Sequence, residues 1–148
     1  MGTHHQGTEQ EVRALDACIK LVRAAESVSS QIHHHLEAVN LTVSQFGVLE
    51  ALWHLGTLSQ SDLAHKLLRS GGNMTLVIDN LEKRQLVRRD RQSRDRRVVQ
   101  VCLTDAGTQL IQEIFPRHVA AIVQTMNILT ATEQEELGRL CRRLGRQE

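Results

Sequence analysis

The stretch from Leu58 to Cys102 limits the fold more than any other part of the chain, because two short helical patterns run directly into a strand, a basic loop and a second strand. Ser59 with Asp62 three residues later has the spacing of a helix N-cap, and Leu63, Leu67 and Leu68 then recur on one helical face. The sequence Leu68-Arg69-Ser70-Gly71-Gly72 interrupts that pattern. Ser70 is placed to cap a second helix whose apolar stripe is Met74, Val77, Ile78 and Leu81, with Asn73, Thr75 and Asn80 on the other face. The runs Val87–Asp90 and Val98–Leu103 read as strands flanking a polar loop. Two short helices, a Gly-containing turn and a β-wing make a winged helix-turn-helix, the unit whose second helix enters a DNA major groove.

Charge is concentrated in the same place. The whole chain carries a formal charge of only +1, yet Lys83, Arg84, Arg88, Arg89, Arg91, Arg94, Arg96 and Arg97 face only Asp90 and Asp95 within one short segment. Such clustering is the footprint of a phosphate-binding surface, although a solvated loop would carry the same residues. Aromatics are 2% of the chain and tyrosine is missing, which argues against base-stacking on single strands and leaves duplex DNA as the partner.

The series Leu63-Ala64, Asp79-Asn80-Leu81-Glu82-Lys83-Arg84, Leu86-Val87-Arg88-Arg89, Asp95-Arg96-Arg97 and Leu103-Thr104-Asp105-Ala106-Gly107 resembles the multiple antibiotic resistance regulator (MarR) family of bacterial transcription factors, and the likeness extends upstream through Leu41–Phe46. The resemblance implies a mainly α-helical protein with a small β-wing, in which a winged helix-turn-helix lobe is joined to a helical dimerisation lobe. It also implies a homodimer on a near-palindromic operator, released by a small molecule or an oxidant. The recognition segment is most similar to that of quinone- and phenol-responsive members.

Outside the winged unit, Val12, Leu15, Ile19, Val22, Ala25, Ser29, Ile32, Leu36 and Val39 step by three or four, which predicts one long amphipathic helix over residues 9–40. A stripe of that length exceeds what a small lobe can cover, so much of it should meet a second chain. Thr42 with Gln45 forms a capping box opening a helix that ends near Gly56, and Thr104 caps a long helix in which Pro116 predicts a kink or break. Thr132 with Glu135 reads as a further capping box for a last helix carrying Leu137, Leu140, Cys141 and Leu144. The chain thus divides into a DNA-binding lobe at 42–103 and dimerisation helices at 9–40 and 104–148.

Base readout falls to the start of the second helix of the winged unit, at Ser70, Gly71, Gly72, Asn73, Thr75 and Leu76, with Arg69 just before it. Asn pairs with adenine, and Thr donates a hydrogen bond or offers its methyl to thymine. Gly71 and Gly72 either let the backbone approach DNA or only relax the turn. The first turn lacks the Arg that members of the resembled family often carry. At the wing, Arg94 and Arg96 suit the minor groove with Asp95 orienting a neighbouring Arg, Arg97 joins them as a DNA-binding residue, and Lys83, Arg84, Arg88 and Arg89 suit phosphates.

An effector pocket between the two lobes would be lined by His34, Phe46, Trp53, Ile111 and Phe115. The alternative is a thiol-based redox regulator using Cys18, which lies twenty-four residues before Thr42, a placement similar to that of the sensing cysteine in hydroperoxide-responsive members of the family. A third reading is a winged helix used only for protein contacts. No GxSxG, Walker loop, HExxH or CxxC is present, so neither an enzyme nor a cofactor is expected. Consecutive helical positions such as His33-His34-His35 point about 100° apart, which disfavours a shared metal. No apolar run reaches the ~20 residues of a membrane span and no signal-peptide core is seen, so the cytoplasm is the expected location and no membrane partner is expected.

Overall fold

A computed structural model describes residues 2–67, 71–91 and 98–145. Six α-helices are formed among these residues: α1 (Glu9–His33), α2 (Val43–Leu55), α3 (Gln60–Lys66), α4 (Gly71–Lys83), α5 (Asp105–Met126) and α6 (Ala131–Gly145). Three strands, β1 (Leu58–Ser59), β2 (Val87–Asp90) and β3 (Gln100–Leu103), form an antiparallel sheet in the order β1-β3-β2. Val87 faces Leu103 and Arg88 faces Cys102 across β2 and β3, and Leu58 faces Val101 across β1 and β3. The two-residue β1 carries no alternating pattern of its own. Only its partner reveals it.

The chain forms two compact units, one of residues His35–Val119 and the other of the residues up to His34 together with those from Ala120 onward. The first unit holds the whole buried core. Met74, Ile78 and Leu81 of α4 pack there with Leu63 of α3, Phe46, Val48, Leu49 and Leu52 of α2, Val87 and Val101 of the sheet, and Ile111 and Ile114 of α5. In the second unit no described residue is buried, and Leu15, Leu21, Val22, Val123, Ile128, Leu137, Leu140 and Leu144 are exposed.

Capping explains most helix starts. Thr42 accepts from the Gln45 amide while the Gln45 side chain accepts from the Thr42 amide, and Ser59 Oγ accepts from Asp62 N. Thr104 Oγ1 accepts from Gly107 N and donates to the carbonyl of Gln85. Thr8 with Glu11 makes a reciprocal box at the head of α1. Helix α4 ends in a Schellman turn, with Leu86 N donating to Leu81 O and Gln85 N to Glu82 O. Gln85 adopts φ 59° there, a position usually held by glycine.

Three expectations are corrected. The first helix ends at His33 and gives way to a 3-10 segment over His34–Val39 that carries buried Leu36. Ser29 O is the α-helical acceptor of the His33 amide, and the His33 ring nitrogen Nδ1 also lies 2.8 Å from it, so the side chain crowds the last α-helical acceptor where the helix changes. Next, of the kink or break expected at Pro116, the break is not made, and α5 continues through the proline. Pro116 and Gln112, whose carbonyl loses its partner, are both exposed, so water can satisfy the freed group while Ile111, Ile114 and His118 hold the buried face. Finally, the cap of α6 is Thr130 with Glu133, not Thr132 with Glu135. The Thr130 amide holds the Glu133 carboxyl below its ordinary pKa. Since the folded-state value is the lower one, that capping contribution is present above the unfolded pKa and is lost as pH falls through the folded one.

Candidate nucleic-acid interface and aromatic cluster

Helix α4 has a two-faced residue pattern. Met74, Ile78 and Leu81 repeat at helical spacing and are buried, whereas Gly71, Gly72, Asn73, Thr75 and Leu76 are exposed, Leu76 at 60%. No described atom lies within 4 Å of a Cβ built at Gly71 or Gly72, and neither has positive φ. The described residues therefore do not require glycine at these two positions.

Helix α4 is braced on both flanks. Gln60 at the start of α3 donates through Nε2 to Thr75 Oγ1 at 2.7 Å, and Thr75 Oγ1 donates to Gly71 O at 3.0 Å. From β2, the Arg89 guanidinium reaches Asp79 at 2.7 Å, Glu82 at 3.2 Å and the carbonyl of Thr75 at 3.3 Å, with its side chain only 12% exposed. The Arg89 amide also donates to Glu82. Arg89 thus ties the wing strand to α4 instead of projecting outward. Arg89→Ala should lower stability by about 1–2 kcal/mol in urea unfolding, because two carboxylates and a carbonyl lose one shared fork. A change under a few tenths of a kcal/mol would show that the contact is ornamental.

The other basic residues divide in the same way. Arg84 donates to Asn40 O at 2.7 Å and to Val39 O at 3.1 Å, closing the end of the 3-10 segment on α4. Arg88 is exposed, and its Nε lies 3.1 Å from Cys102 Sγ on the facing strand. That hydrogen bond raises the pKa of the guanidinium further above neutrality, so Arg88 stays charged. Lys83 is exposed at the end of α4. Arg69, Ser70, Arg94, Asp95, Arg96 and Arg97 lie outside the described residues.

Three of the five residues expected to line an effector pocket come together. Trp53 and Phe115 stack edge to face at 5.1 Å, and His54 sits 4.8 Å from Trp53 and 5.0 Å from Phe115. Phe115 leads on to His118 at 6.3 Å, which lies 4.4 Å from Phe46 and hydrogen-bonds His35 at 3.1 Å. Phe46 and Ile111 are fully inside the core, while Trp53 and Phe115 are half-buried and His54 is exposed. His34 belongs to the other unit. It lines a cavity of about 620 Å³ with Ser30, Gln31, Gln124 and Thr125 in the other unit. His54 and His118 were missed in the sequence, where only the i, i+3 spacing of Phe115 and His118 hinted that they share a face.

The three consecutive histidines diverge, as His33 turns to Ser29 and His35 to His118. No group of three or more His, Cys, Asp or Glu among the described residues is placed to hold a metal. Cys18 is exposed on α1. No helix among the described residues is long and apolar enough to cross a membrane.

Comparison with known proteins gives a consistent set of relatives. The model of the MarR family matches residues 41–99. The HTH-type transcriptional regulator MhqR of Bacillus subtilis (strain 168) is 32% identical over 133 residues, covering 90% of this chain and 92% of MhqR. Among solved structures, Bordetella bronchiseptica BpsR, whose DNA binding is regulated by 6-hydroxynicotinic acid, matches with a TM-score of 0.79 at 27% identity over 87% of this chain and 98% of BpsR. NadR in complex with 4-hydroxyphenylacetate matches with a TM-score of 0.74 at 27% identity over 100% of both chains.

Proposed function

The chain belongs to the MarR family of DNA-binding transcriptional regulators, and from that premise we propose that it is a homodimeric repressor which a small aromatic acid or phenol releases from its operator. The observation that carries the reading is the two-faced α4, braced by Gln60 and Arg89 so that Gly72, Asn73, Thr75 and Leu76 face outward as one rigid edge. Such an edge suits a major groove, with Lys83, Arg88 and the wing arginines on the flanking phosphates and minor groove. Gly71 and Gly72 would let the DNA backbone come close, since no described atom needs their missing Cβ atoms.

A second chain is supported by the unit containing α1 and α6. With no described residue buried and a row of exposed leucines, that unit gains little hydrophobic stabilisation by itself, and a symmetric partner would cover the row. We expect a dimer in sizing experiments at micromolar concentration, and a shift of its own upstream DNA at low salt. Affinity should fall steeply with salt, as log K declines by about 0.9 per phosphate neutralised for each decade. A monomer, or binding insensitive to salt, would sink the reading.

The effector is assigned to the Trp53, His54 and Phe115 edge of the aromatic cluster, where half-buried rings and an exposed imidazole offer stacking and a polar contact to a hydroxylated aromatic acid. BpsR and NadR respond to or hold ligands of that chemistry. Trp53 is the only tryptophan, so its emission reports the site directly. Titration with 4-hydroxyphenylacetate should change that emission and release DNA with the same midpoint. DNA release with flat fluorescence would place the pocket elsewhere. Loss of the response in Cys18→Ser, with quinone as the only active compound, would replace the reversible switch by thiol chemistry at Cys18.

A further inference from the structure

We propose that Thr75 reads the 5-methyl group of a thymine in the major groove, and that Gln60 is the positioning residue that commits it to this role. The inference rests on the reading of α4 as the recognition helix and deepens it. A threonine hydroxyl has one proton to donate and two lone pairs to accept with. In Thr75 the proton goes to Gly71 O at 3.0 Å, and one lone pair receives the Gln60 amide at 2.7 Å. The hydroxyl therefore has no proton left for a base.

That shortage matters in a major groove, where N7 and O6 of guanine, N7 of adenine and O4 of thymine are all acceptors. Thr75 can satisfy none of them. It is nevertheless exposed on the outward edge of α4, where, beside one remaining lone pair that only an adenine N6 or cytosine N4 amino group could use, its Cβ presents the γ-methyl. Leu76 follows it at 60% exposure, so two adjacent positions of the reading edge offer hydrocarbon where polar side chains are the usual choice. The only hydrocarbon group on a major-groove edge of unmodified DNA is the thymine methyl. Gln60 comes from a different helix, so the hydroxyl is held by tertiary contact as well as by the turn beneath it.

The test uses the full-length protein and operator duplexes selected from a random-sequence library, followed by replacement of each thymine in turn by deoxyuridine. Anisotropy titrations should show one symmetric pair of positions at which loss of the methyl weakens the parent about fourfold per half-site. Thr75→Val, which keeps a methyl, should retain that penalty, and Thr75→Ser, which keeps only the hydroxyl, should lose it. Gln60→Ala should shrink the penalty while leaving the salt slope unchanged, which a merely structural role for Gln60 would not do. A flat uridine scan in the parent, or an undiminished penalty in Thr75→Ser, would overturn the assignment while leaving α4 as the recognition helix. Failure to select any preferred duplex would remove both.

Discussion

Phe46→Ala is expected to lower the stability of the protein by about 3–5 kcal/mol, the usual cost of deleting a buried phenyl ring. Phe46 is 2% exposed in the first turn of α2, with its ring 4.4 Å from that of His118 and 6.1 Å from that of His35. Truncation would open a cavity beside a hydrogen-bonded imidazole pair, so hydrocarbon contact is lost while two polar rings stay behind. Urea unfolding followed by circular dichroism measures the loss, and a cost below about 1.5 kcal/mol would mean the site collapses or is not core. The same position tests the effector reading. Phe46→Leu keeps most of the buried volume and should cost far less, so a Leu variant that folds but no longer responds to 4-hydroxyphenylacetate would make Phe46 part of the binding surface after all.

The second large effect is expected at Gly107. A Cβ there would run into the backbone carbonyl of Leu86, which cannot swing aside as the end of a side chain can, and would also press on a methyl of Leu103. Leu86 O is already engaged by Thr104 N at 3.1 Å, and Gly107 N donates to Thr104 Oγ1, so the start of α5 is locked against the turn that leads into β2. Gly107→Ala should therefore cost about 3 kcal/mol or more, at the upper end of overpacking effects. Gly138 in α6 supplies the contrast. It is exposed and a Cβ there meets nothing among the described residues, so Gly138→Ala should stabilise the chain by about 0.5–1 kcal/mol. Equal effects from the two substitutions would show that the close approach at Leu86 does not exist.

The two glycines mark the boundary between what the sequence determined and what the tertiary structure decided. Patterns that act within three or four residues were legible from the chain alone. The stripe Met74, Ile78, Leu81 specified the buried face of α4, the Thr42 and Gln45 box specified the start of α2, and the β-branched run after Val98 contained β3, because each is a contest between neighbours along the backbone. Where two local solutions were equally good, the chain alone misled, since Thr130 with Glu133 and Thr132 with Glu135 have the same spacing and only the first pair caps α6. The sequence likewise showed how many positive charges the winged unit carries, but not which are spent inside the fold. Arg84 closes on carbonyls more than forty residues away and Arg89 on α4, and Gln60 disarms the hydroxyl of Thr75 from another helix. These assignments depend on distances between segments that meet only after the core has closed, and no periodicity along the chain encodes such distances.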